Sequence, residues 1–501
     1  MTYTLGIDIG TFESKGVLVD GDGGIVASAA RQHEMLVPRP GWAEHRPRED
    51  WWGDLVHVTR TILAESGIDP KDIGAVACSA IGPCMLPVDA AGEPLMNGVL
   101  YGVDNRAADE VDELTALIGE DRLVEACGNA LTSQAVGPKI LWLKRNHPEI
   151  YERADRIHSS TSFLVMKLTG QNVIDHYTAC NFGPLYPVDR QDWSNELGGD
   201  IVETGRLPEI RWSTEIVGAV TAEAAAETGL AVGTPVTTGT IDAAAEATSV
   251  GVHGGKEMMM MYGSTVFMIM PSDRRIADPR LWYAPWLYEG QHASMAGLAT
   301  SGTLTQWFRS NFAGEGDRGE AFTALTAEAA ASPPGAKGLV VLPYFSGERV
   351  PIHDSNAKGV VFGLDLTHKR GDIYRALLEG IALGTRHIID TYRDLGAAPE
   401  RLIAVGGGTR NAVWSQATSD TTGLPQVVRQ KTMGASYGDA FLAALAIGAA
   451  TPGDIDTWNP VERVIEPDPA NRAVYDDRFH TFRELYERTK DLMAASRGTE
   501  T

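Results

Sequence analysis

The sequence predicts an α/β protein made of two similarly built halves, and three observations predict it. An opening β meander leads into a helix and a buried strand, the same theme returns at Pro235 and again at Met258, and 501 residues are too many for a single hydrophobic core. The first half begins with apolar runs at Tyr3 to Ile9, Lys15 to Val19 and Ile25 to Gln32, the last two joined by the turn Gly21-Asp22-Gly23-Gly24. A loop over Pro38 to Pro47 precedes a helical segment over Glu49 to Glu65, and Ile73 to Cys78 reads as a buried strand. Asp104 to Ile216 is mainly helical, with Asp175, Tyr177 and Thr178 in loops. Pro235 to Asp242 restates strand, glycine and terminal acid, and Ala243 to Ser249 continues as a short helix of small residues. Val250 to Lys256, punctuated by Gly251, Gly254 and Gly255, reads as a junction.

The second half opens with a strand at Met258 to Tyr262, the turn Gly263-Ser264-Thr265 and a strand at Val266 to Met270. The methionine run reads as a buried strand rather than a soft-metal site, because a strand sends neighbouring side chains to opposite faces. Leu339 to Tyr344 is a further strand, Asp372 to Arg393 a long helix, and Leu402 to Val405 a strand that runs into Gly406-Gly407-Gly408. A charged helix over Asn471 to Leu492 lies in a tail from Pro460 to Arg497. The similar order of hairpin, strand and helix in both halves reads as a divergent internal duplication.

Bulk properties narrow the function. Hydrophobic residues make up 43% and charged residues 22%, the balance of an ordinary globular protein. With no run of about 18 apolar residues, no membrane span is expected. The start passes directly into a strand without a basic, cleavable leader, which points to the cytoplasm. Cys78, Cys84, Cys127 and Cys180 are scattered, so neither a zinc site nor a disulfide framework is expected. The net charge of −23 disfavours nucleic acid and anionic membranes as partners, although backbone amides, a metal ion and a few cations can still hold a polyphosphate.

The most informative stretch is Asp8-Ile9-Gly10-Thr11. Backbone N–H groups at such a turn can surround an anion, and an acid at its edge can hold the hydrated metal that accompanies a polyphosphate. Taken alone, the same stretch is equally a surface turn. Asp242 is likewise open to two readings, a helix N-cap for Ala243 to Ser249 or a chemical group. Gly406 to Gly408 can simply end a strand, Asp104 and Arg106 can form a surface pair, and Trp42 suits packing as well as stacking. No Gly-x-x-x-x-Gly-Lys-Ser/Thr run and no His-Arg-Asp set occurs, which disfavours a P-loop enzyme and a protein kinase.

Taken in order, Asp8-Ile9-Gly10-Thr11, Gly41-Trp42-Ala43-Glu44, Asp104-Asn105-Arg106, Gly239-Thr240-Ile241-Asp242-Ala243, Gly263-Ser264-Thr265, Gly359 to Leu364 and Gly406 to Asn411 resemble the FGGY family of carbohydrate kinases. That family is related in fold to hexokinase, actin and the heat-shock chaperone ATPases. The resemblance implies two actin-like (ribonuclease H-like) ATPase domains with a cleft between them. The first, 1–249, would carry the sugar, the catalytic base and one phosphate loop, and the second, 250–450, the nucleotide; 451–501 would form a helical tail. ATP and Mg²⁺ are the implied cofactors. Asp242 takes the base position and Asp8 that of the residue holding the metal, usually through water. Gly10, Thr11, Ser14 and Lys15 would meet the phosphates from one domain and Gly263, Ser264 and Thr265 from the other. Gly302 matches a further nucleotide contact, and Gly407, Gly408 and Asn411 resemble the adenosine-binding loop. Lys139 to Trp142 and Ala376 to Glu379 resemble the cores of the two family signatures, with Val136 and Leu377 departing from the usual residues.

For the sugar, Gly82-Pro83 stands where glycerol kinases carry an Arg-Glu pair, so charged recognition of glycerol is not expected. Asp104-x-Arg106 looks more like xylulokinase-type members. Gly82, Pro83, Asp104 and Asp242 are therefore the expected sugar contacts, and a ketopentose such as xylulose the expected substrate. The alternatives are another ketose or polyol, or a nucleotide-switched binding protein of the same superfold. A homodimer is left open.

Overall fold

The structure is a computed structural model and describes residues 2–254, 256–314 and 317–496. Gly255 of the expected junction and Arg497 at the end of the tail lie outside the described residues. The first half folds around a mixed sheet of β1 (Tyr3–Ile9), β2 (Glu13–Val19), β3 (Ile25–Gln32), β4 (Ile73–Ala80), β5 (Ile216–Ala219), β6 (Pro235–Thr237) and β7 (Thr240–Ile241), with helix α1 (Gly53–Ser66) between β3 and β4. The strand order is β5-β6-β4-β1-β2-β3, and β7 pairs with β4 beyond β6. Antiparallel pairing of β1 to β2 and β2 to β3 realises the meander, while β4 and β6 add in parallel.

The second sheet repeats this plan. β8 (Glu257–Tyr262), β9 (Val266–Ser272), β10 (Trp282–Pro285), β11 (His292–Leu298), β12 (Arg401–Val405), β13 (Gln426–Arg429) and β14 (Val461–Ile465) lie in the order β10-β11-β9-β8-β12-β13-β14. From the hairpin outward, β11-β9-β8-β12-β13-β14 matches β3-β2-β1-β4-β6-β5 in both order and direction. Met258 and Met260 of β8 enter one apolar cluster and Met259 the cluster on the other face, as alternation in a strand buried on both sides requires. The tail departs from a purely helical reading, because β14 completes the second sheet before the final helix over Arg472–Ala495. All four cysteines are buried thiols.

The two lobes are joined by glycine-mediated contacts. Helix α2 (Asp242–Ser249) starts at the end of β7, and helix α3 (Ala435–Ala446), from the second half of the sequence, packs on it and on β1. A Cβ on Gly438 would lie 1.8 Å from the Ala245 carbonyl oxygen, and one on Gly6 would lie 2.0 Å from the Ser436 carbonyl oxygen. Only glycine allows backbones this close. The opposite face of the first sheet is covered by α1, where Leu5, Leu18, Leu55, Val58 and Ile62 form one buried cluster.

Candidate active site

The ends of three adjacent strands bring the first-lobe residues together. In the register of the sheet Asp8 on β1 faces Ser79 on β4, and Ser79 in turn faces Thr240 on β7, two residues before Asp242. On the other side Asp8 pairs across the hairpin with Lys15 of β2. Asp8 and Asp242, far apart in sequence, therefore sit within one electrostatic neighbourhood. Burial first, then the charges of Asp242 and Glu246, hold the Asp8 carboxyl well above the usual carboxylate range, against the pull of Lys15 and of a bond from the Ser79 hydroxyl.

Asp242 is the first residue of α2 rather than its N-cap, which is Ile241. Its Oδ1 accepts from the Ala243 N–H at 2.7 Å. Burial pushes its carboxyl up to about 7, opposed by that N–H and assisted by Glu246 one helical turn on. Behind Asp8 stands Asp439 of α3, whose Oδ2 accepts from the Ser79 hydroxyl at 2.6 Å and from the Ser79 N–H at 3.1 Å. Burial raises this group too, and its Oδ1 has no partner among the described residues. Asp439 and Glu246 were not identified from the sequence. Asp439 is the sole acid in a helix of mostly small or apolar residues, and Glu246 stands four residues after Asp242 in the same helix, a signal that was present but did not reveal the partners.

The turn from Gly10 to Glu13, which joins β1 to β2, is tight. The Gly10 N–H donates to the Glu13 carbonyl at 3.1 Å, so this amide closes the turn and is not available to a phosphate as expected. Ser14 is a correction of the same kind. Neighbours on a strand face opposite ways, and while Lys15 stands on the Asp8 side, Ser14 is fully buried on the α1 side and donates to Asp54 Oδ2 at 2.7 Å. Thr11 lies against the Tyr101 phenol, which is raised by burial and by Asp242 and also feels Arg349 of the second lobe. Gly82-Pro83 follows β4 beside Asp242's strand, a Cβ on Gly82 lying 3.0 Å from Ile241 Cγ1.

Asp104 corrects both readings made of it. It is neither at the surface nor free for a ligand, being fully buried with its oxygens accepting from Arg106 Nε and Nη2 at 2.8 to 3.0 Å and from the Ala43 N–H at 2.7 Å. Arg106 also reaches Glu44 at 2.8 Å and covers the Trp42 ring at 4.0 Å, so this pair locks the Trp42-Ala43-Glu44 segment.

In the second lobe Gly263-Ser264-Thr265 links β8 to β9 and is held by the 301–303 turn. The Gly302 N–H donates to the Gly263 carbonyl, and the N–H groups of Ser301 and Thr303 to that of Ser264, all at 3.1 Å. A Cβ on Gly302 would stand 2.4 Å from the Gly263 oxygen, so packing alone demands this glycine. Gly408 is required by Trp414, 2.6 Å from where its Cβ would be, whereas nothing lies within 4 Å of a Cβ on Gly407. Asn411 caps the helix over Ala412–Thr422, its side chain accepting from the Trp414 N–H at 3.1 Å.

Two family models cover nearly the whole chain, the N-terminal domain of the FGGY family of carbohydrate kinases over residues 3–249 and its C-terminal domain over residues 258–447. The chain belongs to the FGGY family of carbohydrate kinases. This kinase superposes on the crystal structure of xylulose kinase from Rhodospirillum rubrum with a TM-score of 0.92 at 32% identity, covering 98% of this chain and 100% of that one. It is 30% identical to the xylulose kinase of Escherichia coli over 501 residues, 98% of this chain and 100% of the relative. A ribulokinase from Geobacillus thermodenitrificans is 28% identical over 545 aligned positions, 97% of this chain and 94% of the relative. As an FGGY kinase it is a phosphotransferase with an alcohol group as acceptor, built on two actin-like α/β domains. Among the described residues no helix is long and apolar enough to cross a membrane.

Proposed function

We propose that this kinase transfers the γ-phosphoryl group of ATP to a hydroxyl of a ketopentose, xylulose first, in the cytoplasm where ATP is supplied. The observation that carries the reading is the meeting of Asp8 and Asp242 at neighbouring strand ends, with Asp242 raised to about 7. A sugar hydroxyl is a poor nucleophile, and a carboxylate that titrates near neutrality is suited to accept its proton while remaining partly ionised. Asp242 takes that proton as the hydroxyl attacks. Gly82-Pro83, beside Asp242's strand, shapes an uncharged wall for the sugar.

The residues present fit a hydrated magnesium ion. Asp8, Asp242, Glu246 and Asp439 crowd negative charge into a buried region where Lys15 is the cation that opposes it. Among the described residues no three acid, imidazole or thiol groups converge as direct ligands, so Asp8 would hold the ion through its water shell. When bound, the ion neutralises charge on the phosphates. Thr11 and Lys15 from one lobe and the Ser264 and Thr265 turn from the other orient the phosphate chain, and the open backbone at Gly407 receives the nucleoside.

The test is a substrate panel of xylulose, ribulose, hexuloses, pentitols and glycerol, compared by kcat/KM in a coupled ADP assay. Xylulose is expected to rank first by at least about tenfold, the discrimination that one or two hydroxyl contacts supply. A ribulose preference of similar size would move the assignment to the other ketopentose, for which the ribulokinase relative supplies the argument.

A further inference from the structure

Three consecutive carbonyls of the first phosphate loop are tied back by groups that nothing above assigns to the reaction. The Gly10 carbonyl lies 3.1 Å from His33 Nε2, the Thr11 carbonyl 3.0 Å from His45 Nε2, and the Phe12 carbonyl accepts from the His33 backbone N–H at 3.0 Å. The second phosphate turn is tied back in the same sense, by the amides of residues 301–303 on the carbonyls of Gly263 and Ser264. In both lobes carbonyl oxygens, which would repel a polyphosphate, are engaged by donors. The first lobe adds two imidazoles to a backbone amide, and the second adds the hydroxyls of Ser301 and Thr303 to its backbone amides.

The chemistry of each ring follows from its partners. His45 Nδ1 accepts from Trp51 Nε1–H at 3.1 Å, so Nε2 carries the proton given to Thr11 and the ring is neutral. Burial, then the neighbouring His33, pushes His45 down to about 4, in agreement with that assignment. His33 differs. Its Nδ1 lies 2.8 Å from Asp54 Oδ2 and 3.5 Å from the Ser14 hydroxyl, and its Nε2 faces the Gly10 carbonyl. The side chain is 3% exposed, and Asp54 1%. The charged and titratable groups around it are Asp54, Arg31 on the other Asp54 oxygen at 3.2 Å, His45 edge-on at 4.8 Å between ring centroids, and Asp50 near His45.

We propose that His33 and His45 are positioning residues of the phosphate loop, His45 as a neutral donor to Thr11 and His33 as a buried link between the Gly10 carbonyl and Asp54. Through them the carbonyls of the loop are held off the nucleotide. The proposal rests on the phosphoryl-transfer reading of this site, and the experiment keeps the two apart. Sugar-dependent ADP formation by the wild type tests the reading. The clamp is tested by calorimetric MgATP binding, which needs no turnover, and by nitrogen NMR of the histidine-labelled full-length protein at pH 7. His45→Ala and His33→Ala are each expected to weaken MgATP binding by about tenfold, the size of one lost hydrogen bond. The sugar KM should change by less than about twofold. A glutamine amide can donate to Thr11 and accept from Trp51, so His45→Gln should return binding to within about threefold of the wild type. The NMR spectrum should show His45 as the neutral Nε2–H tautomer. Alanine variants that bind MgATP like the wild type, a sugar KM that rises as much as the MgATP dissociation constant, or a wild-type His45 protonated at Nδ1 would each overturn the proposal. Should either alanine variant not fold, the wild-type spectrum and His45→Gln still decide it.

Discussion

At the scale of single residues, the site concentrates carboxylates that the fold would be more stable without. Burial lifts Asp242 to about 7 against an ordinary value of 3.8, so its ionisation is harder in the folded chain than in the unfolded one. The sign follows directly. Between those two values the folded state binds the extra proton, so stability falls as pH rises from about 4 to 7, and the full cost is present above pH 7. Asp242→Asn should therefore raise the unfolding temperature at pH 8, by a free energy on the order of a few kcal/mol, and the gain should shrink towards pH 4. The same variant should lower kcat by several orders of magnitude, and the wild-type rate should climb with pH through a midpoint near 7. Calorimetry at the two pH values and a pH–rate profile check both. Asp8 and Asp242 were singled out in the sequence because each stands near a strand end in a glycine-bearing motif, and their roles came from the resemblance to the FGGY family. Ser14 and Asp104 were misplaced because Asp54 and Arg106, distant or differently oriented partners, decide where those side chains point. His45 lay in the loop read over Pro38 to Pro47 and His33 just past the strand ending at Gln32, yet nothing local shows that each faces the loop at Gly10 to Phe12.

At the scale of elements, α2 and α3 form the seam between the lobes. The Gly438 site leaves no room for a methyl group, since the Ala245 carbonyl stands 1.8 Å from its Cβ position and the Ser249 amide nitrogen 3.1 Å away. Gly438→Ala must separate the two helices, at a cost of about 1–3 kcal/mol. Because α2 carries Asp242 and α3 carries Asp439, the shift should also lower kcat more than it raises the MgATP KM. Denaturant unfolding alongside steady-state kinetics measures both effects. An exposed Gly453→Ala, in a helical turn with open space around it, supplies the comparison for the same change without a clash. The strands at Tyr3 to Ile9 and Ile25 to Gln32 were read to the residue, because their β-forming runs and the turns that bound them are local. That α3 packs on β1 was not legible. The contact depends on Gly6 and Gly438, more than four hundred residues apart in the chain, and glycine carries no pattern that names its neighbour.

At the scale of the molecule, two sheets of matching strand order each carry a turn with its carbonyls tied back, between β1 and β2 and between β8 and β9. The match explains why a duplicated α/β plan was visible in the sequence from the recurrence of hairpin, strand and glycine. The strand β14 in the tail escaped because its exposed, charged run carries no clear alternation and is fixed only by pairing with β13. Other contacts between the lobes, such as the Tyr177 hydroxyl donating to Met295 Sδ at 2.8 Å, link the neighbourhood of Asp242 to the second lobe. Such coupling suits an enzyme whose phosphate site assembles with its acceptor site, so that water is a poor substitute for the sugar. The most direct test of the central claim, that Asp8 and Asp242 serve one transferred phosphoryl group, is the rate of ADP formation from MgATP with and without xylulose, in the wild type and in Asp242→Asn. The account predicts rapid ADP formation by the wild type only when xylulose is present, and its loss in the variant while MgATP still binds. Sugar-independent hydrolysis, or a variant that turns over like the wild type, would contradict it.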